Sequence, residues 1–457
     1  MKLSWTSLGL LVGAGFVAGA VSAPGAHLTL PFFAVSPAVA RNTNDTDPLL
    51  GLFADVLNRV SANYITPVSN RTLVNNALNG MLTGLDPHSS YMTEQEWHDM
   101  QTETSGAFGG IGLQVTDNAG LLMVISPIDG TPAAQAGIKS GDTITAVNNK
   151  TIEGLSLTAA VAEMRGPPDT ILHLTIKRSG EPQPIELTLS RQIIHVQSVT
   201  SALYDNIGVI RVSEFTEQTH PGLRNAVAAL RKQSKGALRG LVLDLRNDPG
   251  GLLEQAVLVG NDFLDHGIIV STRGRHVGDS ESWSAKASAD LVGNLPLVVL
   301  INNGTASAAE IVAGALQDNQ RALVLGTQSF GKGSVQTLIP LSGEGAIRLT
   351  TARYYTPSGH SIQGLGITPD VKVEATRTPP PHFGPEHEAD LLHILTNDKA
   401  PPPAVAPAEL PAAARNIPGL PPLDWPTFDA KRPETDFQLQ QGLRLVKDLI
   451  SEQQVSR

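Results

Sequence analysis

The chain has 457 residues, enough for about three domains at roughly 150 residues each, and its 41% hydrophobic and 17% charged content fits sizeable packed cores. A net charge of −10 with no block of Lys and Arg argues against a nucleic-acid partner. The absence of cysteine excludes disulfides, thiolate catalysis, Cys-ligated zinc and a lipoprotein-type cysteine anchor.

The first 23 residues read as an export signal. Lys2 is the only cation before Arg41, no acid precedes Asp45, and the Gly/Ala-rich apolar run Leu8 to Val21 closes on Val21-Ser22-Ala23. Cleavage after Ala23 is the first reading. An uncleaved inner-membrane anchor is the second, because Trp5 to Ala23 approaches spanning length. Either way the body is expected in the periplasm or cell envelope.

Residues 24–46 read as a tether. Asp47-Pro48 predicts a helix start, with Leu49, Leu52, Phe53, Val56, Leu57, Val60 and Tyr64 following at helical spacing. A second helix is expected from near Asn70 and ends in the turn Leu85-Asp86-Pro87-His88-Ser89. His88 reads as a hydrogen-bonded loop histidine in preference to a catalytic one. Together these make a helical region at 47–105.

From Gly106 the texture changes to short strands and glycine turns. Gly110-Ile111-Gly112-Leu113 runs into a strand, Leu121 to Ile125 makes another, and Ala133 to Ala136 a short helix. Ser156 to Arg165 is amphipathic, and Ile171 to Ile176 and Ile185 to Leu189 are strand-like. Residues 106–190 resemble a PDZ domain of the bacterial protease type. The resemblance implies that Gly110, Ile111, Gly112 and Leu113 form the loop that captures a peptide's terminal carboxylate, with the following strand pairing the peptide. Leu113, Leu157 and Val161 would line the pocket for its last side chain.

Residues 191–375 read as an α/β core, with buried strands at Ile207 to Val212, Leu241 to Leu245 and Leu297 to Ile301. Helices are expected at Leu223 to Leu230 and Leu253 to Leu264, and strands at Val335 to Leu341 and Ala346 to Tyr355. Residues 376–434 read as a linker without a packed core, because 14 of the chain's 32 prolines fall between Pro379 and Pro433. A closing helix follows at 435–457, to dock on the body or on a second subunit.

Three segments carry chemistry. Asp244-Leu245-Arg246-Asn247-Asp248-Pro249-Gly250-Gly251 is a strand breaking into a glycine turn, where free amides can hold an anion. In Asn303-Gly304-Thr305-Ala306-Ser307-Ala308-Ala309-Glu310, Ser307 falls at a strand–helix junction, the place of a plain helix cap or of an exposed nucleophile. In Phe330-Gly331-Lys332-Gly333-Ser334-Val335-Gln336, a lysine sits between two glycines, 25 positions after Ser307. A serine needs a base, and a desolvated lysine can serve. Gly326 to Lys332 copies most of a P-loop, but Gly333 lacks the hydroxyl that holds magnesium and a strand follows where a P-loop opens a helix. The spacing from His387-Glu388 to His393 fails the zinc pattern His-Glu-x-x-His, and no histidine has a setting as distinctive as Lys332.

On these motifs the chain resembles the carboxyl-terminal processing (tail-specific) proteases of bacterial envelopes over about residues 50–375. The resemblance implies an α+β multidomain fold, with the PDZ domain inserted in a core similar to Clp protease and crotonase. It assigns Ser307 as nucleophile, Lys332 as general base, Gln336 as the group orienting the lysine, and the Gly251 and Ala308 amides as oxyanion donors. No cofactor or metal is called for. Its substrates would be envelope proteins held by their C-terminal tails; an envelope adaptor, membrane association through the N-terminus and a homodimer or higher homo-oligomer are partners left open. Two departures are visible, Thr305 and Ala309, where the family often has Ser.

The mechanism is feasible in size. A working base needs a drop of about 3 units from ~10.4, roughly 4 kcal/mol, and burial of a lysine supplies up to about 3–5 units. Movement of the PDZ domain on binding is an expected gate, with Arg165 either a relay to the core or a solvated helix-end charge. The competing class is a non-catalytic envelope scaffold that uses the PDZ domain to bind partners.

Overall fold

The computed structural model describes residues 43–118, 121–128, 130–287, 290–378, 385–397 and 410–455. The expected signal at 1–23, and the tether up to residue 42, lie outside the described residues. Among the described residues no helix is long and apolar enough to cross a membrane.

The chain divides into two units, Met1–Val68 and Ser69–Arg457. The first holds the helix Thr43–Asn63, which starts ahead of the expected cap at Asp47 and carries Pro48 inside it. A proline there removes one backbone bond near the start, where few such bonds exist.

The second unit begins with the helix Asn70–Thr83, capped by the Ser69 hydroxyl on the Thr72 N–H. A helix over Glu94–Ser105 follows, opened by a Thr93–Glu96 capping box. The PDZ region is a sheet in the order Leu113–Asn118, Leu121–Pro127, Thr143–Val147, Ile171–Lys177, Ile185–Ser190, with the helix Leu157–Met164. Ile144, Leu172, Leu174 and Ile176 fill its core. The chain enters through the strand Ala107–Gly110 and leaves through Gln192–His195, and the two pair antiparallel.

The core sheet runs Val199–Tyr204, Ile207–Val212, Gly240–Asp244, Leu297–Ile301, Leu323–Gly326, Val371–Lys372. Its first pair is antiparallel and the others parallel. Alternate residues point to opposite faces. Leu241, Leu243, Val299, Ile301 and Val324 pack with the helices Thr219–Gln233, Leu253–Asn261 and Ala308–Asp318. Val242, Val298, Leu300 and Leu325 pack with the closing helix Phe437–Val455. Burial on both faces is why these strands read as continuous apolar runs. A second sheet, built on Gly345–Tyr355 with Ser334–Leu341, Ile268–Gly274, Glu281–Ser284 and Ser90–Met92, stands beside it.

Of the expected linker at 376–434, residues 379–384 and 398–409 lie outside the described residues, and the stretch from Leu410 on departs from the expectation of no packed core. Leu410 and Ala414 are buried in the core under the closing helix, and Trp425 meets Phe437 edge to face at 5.0 Å. Proline fixes backbone angles without preventing burial, so composition alone does not reveal the packing from Leu410 on. The closing helix docks on its own chain. Arg246, from the strand end at the site, grips Asp436 through both guanidinium nitrogens at 2.9 and 2.8 Å and also holds Asp244.

Candidate active site

Three loops leave the carboxyl ends of neighbouring parallel strands, so strand order alone brings residues 245–251, 302–307 and 327–333 together. Cross-links fix them. Asn247 and Asn302 exchange hydrogen bonds at 2.9 Å, Thr305 donates its hydroxyl to the Leu245 carbonyl at 2.8 Å, and Phe330 N–H donates to the Thr305 carbonyl at 2.9 Å. The Thr305 that departs from the resembled family therefore does a hydroxyl's work.

Ser307 is the N-cap residue of the helix Ala308–Asp318, at φ +52° and ψ −116°. That backbone is rare for a residue with a Cβ and marks a held, strained turn. Gly250 makes room for it: a Cβ on Gly250 would lie 2.8 Å from the Ser307 Cβ. Ser307 is 8% exposed, at the start of a helix whose amide dipoles favour developing negative charge. Gly251 and Ala308, the expected oxyanion donors, have N–H groups with no acceptor among the described residues.

Sequence reasoning missed Glu310. Its carboxylate is fully buried and accepts four hydrogen bonds, from Ser307 N–H at 2.8 Å, Lys332 N–H at 2.9 Å, Gly331 N–H at 2.7 Å and the Ser329 hydroxyl at 2.5 Å. Burial pushes its pKa up to about 7, against those four donors. The readable signal was a Glu three residues into a helix that starts at Ser307, which is the capping-box spacing.

Lys332 is partly buried, and among the described residues its ammonium has neither a hydrogen-bond partner nor an ion pair. Its pKa is lowered first by burial and then by the Arg348 charge, while Glu388 and Glu310 oppose the shift. Gln336, expected to orient the lysine, instead donates to Ser334 at 2.9 Å and Thr350 at 3.3 Å. The strand Ser334–Leu341 carries a register shift between Val335 and Gln336, which brings Gln336 opposite Thr350. His88 is a bonded loop residue, 2.8 Å from the buried Glu388.

Asp248 also lay outside the expected site. It is 0% exposed, its Oδ1 takes the Gly250 N–H at 2.8 Å, and its Oδ2 has no partner among the described residues. Burial raises its pKa to about 8.

In the PDZ region Gly112 sits at φ +77° between Ile111, which is buried, and Leu113. The strand Leu113–Asn118 is the edge of its sheet and so leaves one side unpaired. The Arg165 guanidinium lies 4.7 Å over the Phe108 ring, on the strand by which the chain enters the domain.

Comparison with known proteins gives the same frame. A family model described as peptidase family S41 matches residues 206–373, and one described as PDZ domain matches 123–178. A carboxy-terminal-processing protease of Bartonella bacilliformis is 51% identical over 334 residues, covering 73% of this chain and 77% of that protein. The Bacillus subtilis carboxy-terminal processing protease CtpA is 38% identical over 318 residues, covering 69% and 67%. Among solved structures, a photosystem II D1 C-terminal processing protease is 30% identical with a TM-score of 0.41, covering 71% of this chain and 92% of that one. With the PDZ module and the mixed α/β core in place, the chain belongs to peptidase family S41, among the carboxy-terminal-processing serine proteases.

Proposed function

We propose that this protein is an exported endopeptidase that cuts envelope proteins near their C-termini, using a Ser307–Lys332 dyad. The observation that carries the dyad is the one Glu310 oxygen bonded to both Ser307 N–H and Lys332 N–H, which keeps the two backbone nitrogens within about 6 Å of each other. The lowered basicity of Lys332 supports its role as base.

In this reading the tail of a substrate pairs with the edge strand Leu113–Asn118, and its carboxylate meets the loop Gly110 to Leu113. Tethering by the tail raises the concentration of the chain near Ser307. The Ser307 Oγ attacks the scissile carbonyl while the neutral Lys332 Nζ takes its proton. The Gly251 and Ala308 amides receive the oxyanion. Lys332 then gives the proton to the leaving amine; a water, deprotonated by the again neutral Lys332 Nζ, attacks the acyl-enzyme, and that proton returns to the departing Ser307 Oγ. Gln336 has no described bond to Lys332, so the orientation of the base falls to the chain on either side of it.

Export rests on the N-terminal sequence alone: a lone cation, an apolar run and a small-residue end. Periplasmic placement, with or without retention at the inner membrane, follows from the same residues. The test is Ser307→Ala and Lys332→Ala in the full chain, with an envelope-protein tail as substrate. Both are expected to fold and to lose turnover; near-normal cleavage by Lys332→Ala would sink the dyad.

A further inference from the structure

We propose that Glu388, on the C-terminal segment 385–397, is a positioning residue for Lys332, and that this segment is a strap without which the base is not held for catalysis. The inference rests on the dyad reading above and adds a part of the chain that composition assigned to a linker.

The strap touches the lysine loop on both sides of Lys332. Before it, Glu388 N–H donates to the Phe330 carbonyl at 2.8 Å, and the His387 ring nitrogen lies 3.1 Å from the Ser329 carbonyl. After it, Gln363 bridges: its Oε1 accepts Gly333 N–H at 3.1 Å, and its Nε2 donates to Glu388 Oε1 at 3.0 Å. Asn397 adds a bond from Nδ2 to the Gln363 carbonyl at 2.6 Å. Gly333 is pressed on this layer, since a Cβ there would sit 2.2 Å from the Gln363 nitrogen.

Glu388 itself is 0% exposed, a rare state for a carboxylate unless it is fully partnered. Both its oxygens face His88 Nε2, at 2.8 and 3.0 Å. His88 is anchored in turn, with its N–H on Asp86 at 2.9 Å and its carbonyl accepting from Arg348 Nε at 3.0 Å. The charged or titratable groups that bear on this network are His88, bonded to Glu388, and Lys332, on which the charges of Glu388, Arg348 and Glu310 act, with His387 and Asp390 on the segment of Glu388 itself. A satisfied buried network of this kind is stiff, and cutting it costs more than one bond. Its charge also acts on the base, since Glu388 favours the protonated form of Lys332.

A merely structural role and a positioning role therefore differ in the pH profile. Glu388→Gln keeps the shape and removes the charge. The expected result is a plateau kcat lower by roughly tenfold with KM for a tail-bearing substrate unchanged. The acid limb of kcat/KM is expected to move to lower pH by about half a unit or more, because the neutral lysine gains population. Glu388→Asp, which keeps the charge, should lower kcat with the limb in its wild-type place. A wild-type limb and plateau in Glu388→Gln, or equal limbs in both variants, overturns the inference. Should Glu388→Gln melt below the assay temperature, Gln363→Met cuts the bridge at both ends, to Gly333 and to Glu388, and keeps the Glu388 carboxylate on His88; lowered kcat at unchanged KM is then expected, and wild-type kcat overturns the proposal. Lys332→Ala in parallel separates the two claims. If it is inactive, failure at Glu388 removes only the strap; if it is fully active, dyad and strap fall together.

Discussion

Ser307 and Lys332 donate their backbone N–H groups to the same oxygen, Oε2 of Glu310, at 2.8 and 2.9 Å. The proposed nucleophile and base come from loops 25 residues apart, and a third side chain, three residues into the helix that Ser307 opens, ties their backbones together. Removing that carboxylate should harm both partners. Glu310→Ala strands three amides and the Ser329 hydroxyl, so a stability loss of about 3–5 kcal/mol and loss of turnover are expected. Urea unfolding and peptide turnover at one temperature check both. A stable variant of normal kcat would show that the spacing is set elsewhere.

Lys332 should make activity rise with pH. Its basicity is lowered by burial and by Arg348, so the acid limb of kcat/KM is expected below the ordinary lysine value of 10.5. Replacing Arg348 by Met removes a like charge and should move that limb to higher pH, while Arg348→Lys should leave it in place. The measurement is a pH–rate profile of all three proteins. A downward shift in Arg348→Met contradicts the assignment.

Asp248 makes folding stability pH-dependent. Its folded pKa, raised to about 8 by burial, lies above its ordinary 3.8. The folded state therefore holds the proton more tightly, so this group's contribution is full below pH 4 and is lost as pH climbs through 8. Asp248→Asn, neutral at every pH, should match wild type near pH 4 and exceed it increasingly up to about pH 8, by at most about 6 kcal/mol at about 1.4 per unit. Denaturant midpoints at pH 5, 7 and 9 read the slope. A constant difference between the two proteins excludes titration of this carboxyl as its source.

Capture of the substrate's tail should depend on a free carboxylate. In the proposed mode the edge strand Leu113–Asn118 would pair with any extended peptide, whereas the loop before it would answer only to the charge. One substrate made with a free and with an amidated C-terminus should differ by about tenfold or more in kcat/KM. Equal rates would mean that the PDZ domain does not select tails.

The parallel strands were readable because both faces are buried, which leaves apolar runs such as Leu297 to Ile301 that no loop would carry. The helix Glu94–Ser105 was not read, since it has no buried residue and hence no periodic apolar face; only its capping box announced it. The Thr93-x-x-Glu96 signature shows that end chemistry can survive where hydrophobic patterning fails.

By itself the sequence determined the chemistry on offer: a serine after a small-residue turn, a lysine between glycines, a glycine loop for a carboxylate, and no thiol. Those are local properties, written in residue type and short spacing. Only the tertiary structure decided which distant groups hold the site. Glu310 joins the two loops, Gln336 turns to Ser334, and Glu388 reaches Phe330 and Gln363 from a proline-rich segment. Burial and a shared acceptor arise from packing across the whole chain, and a carboxylate that will be fully enclosed looks no different in sequence from one that will face water.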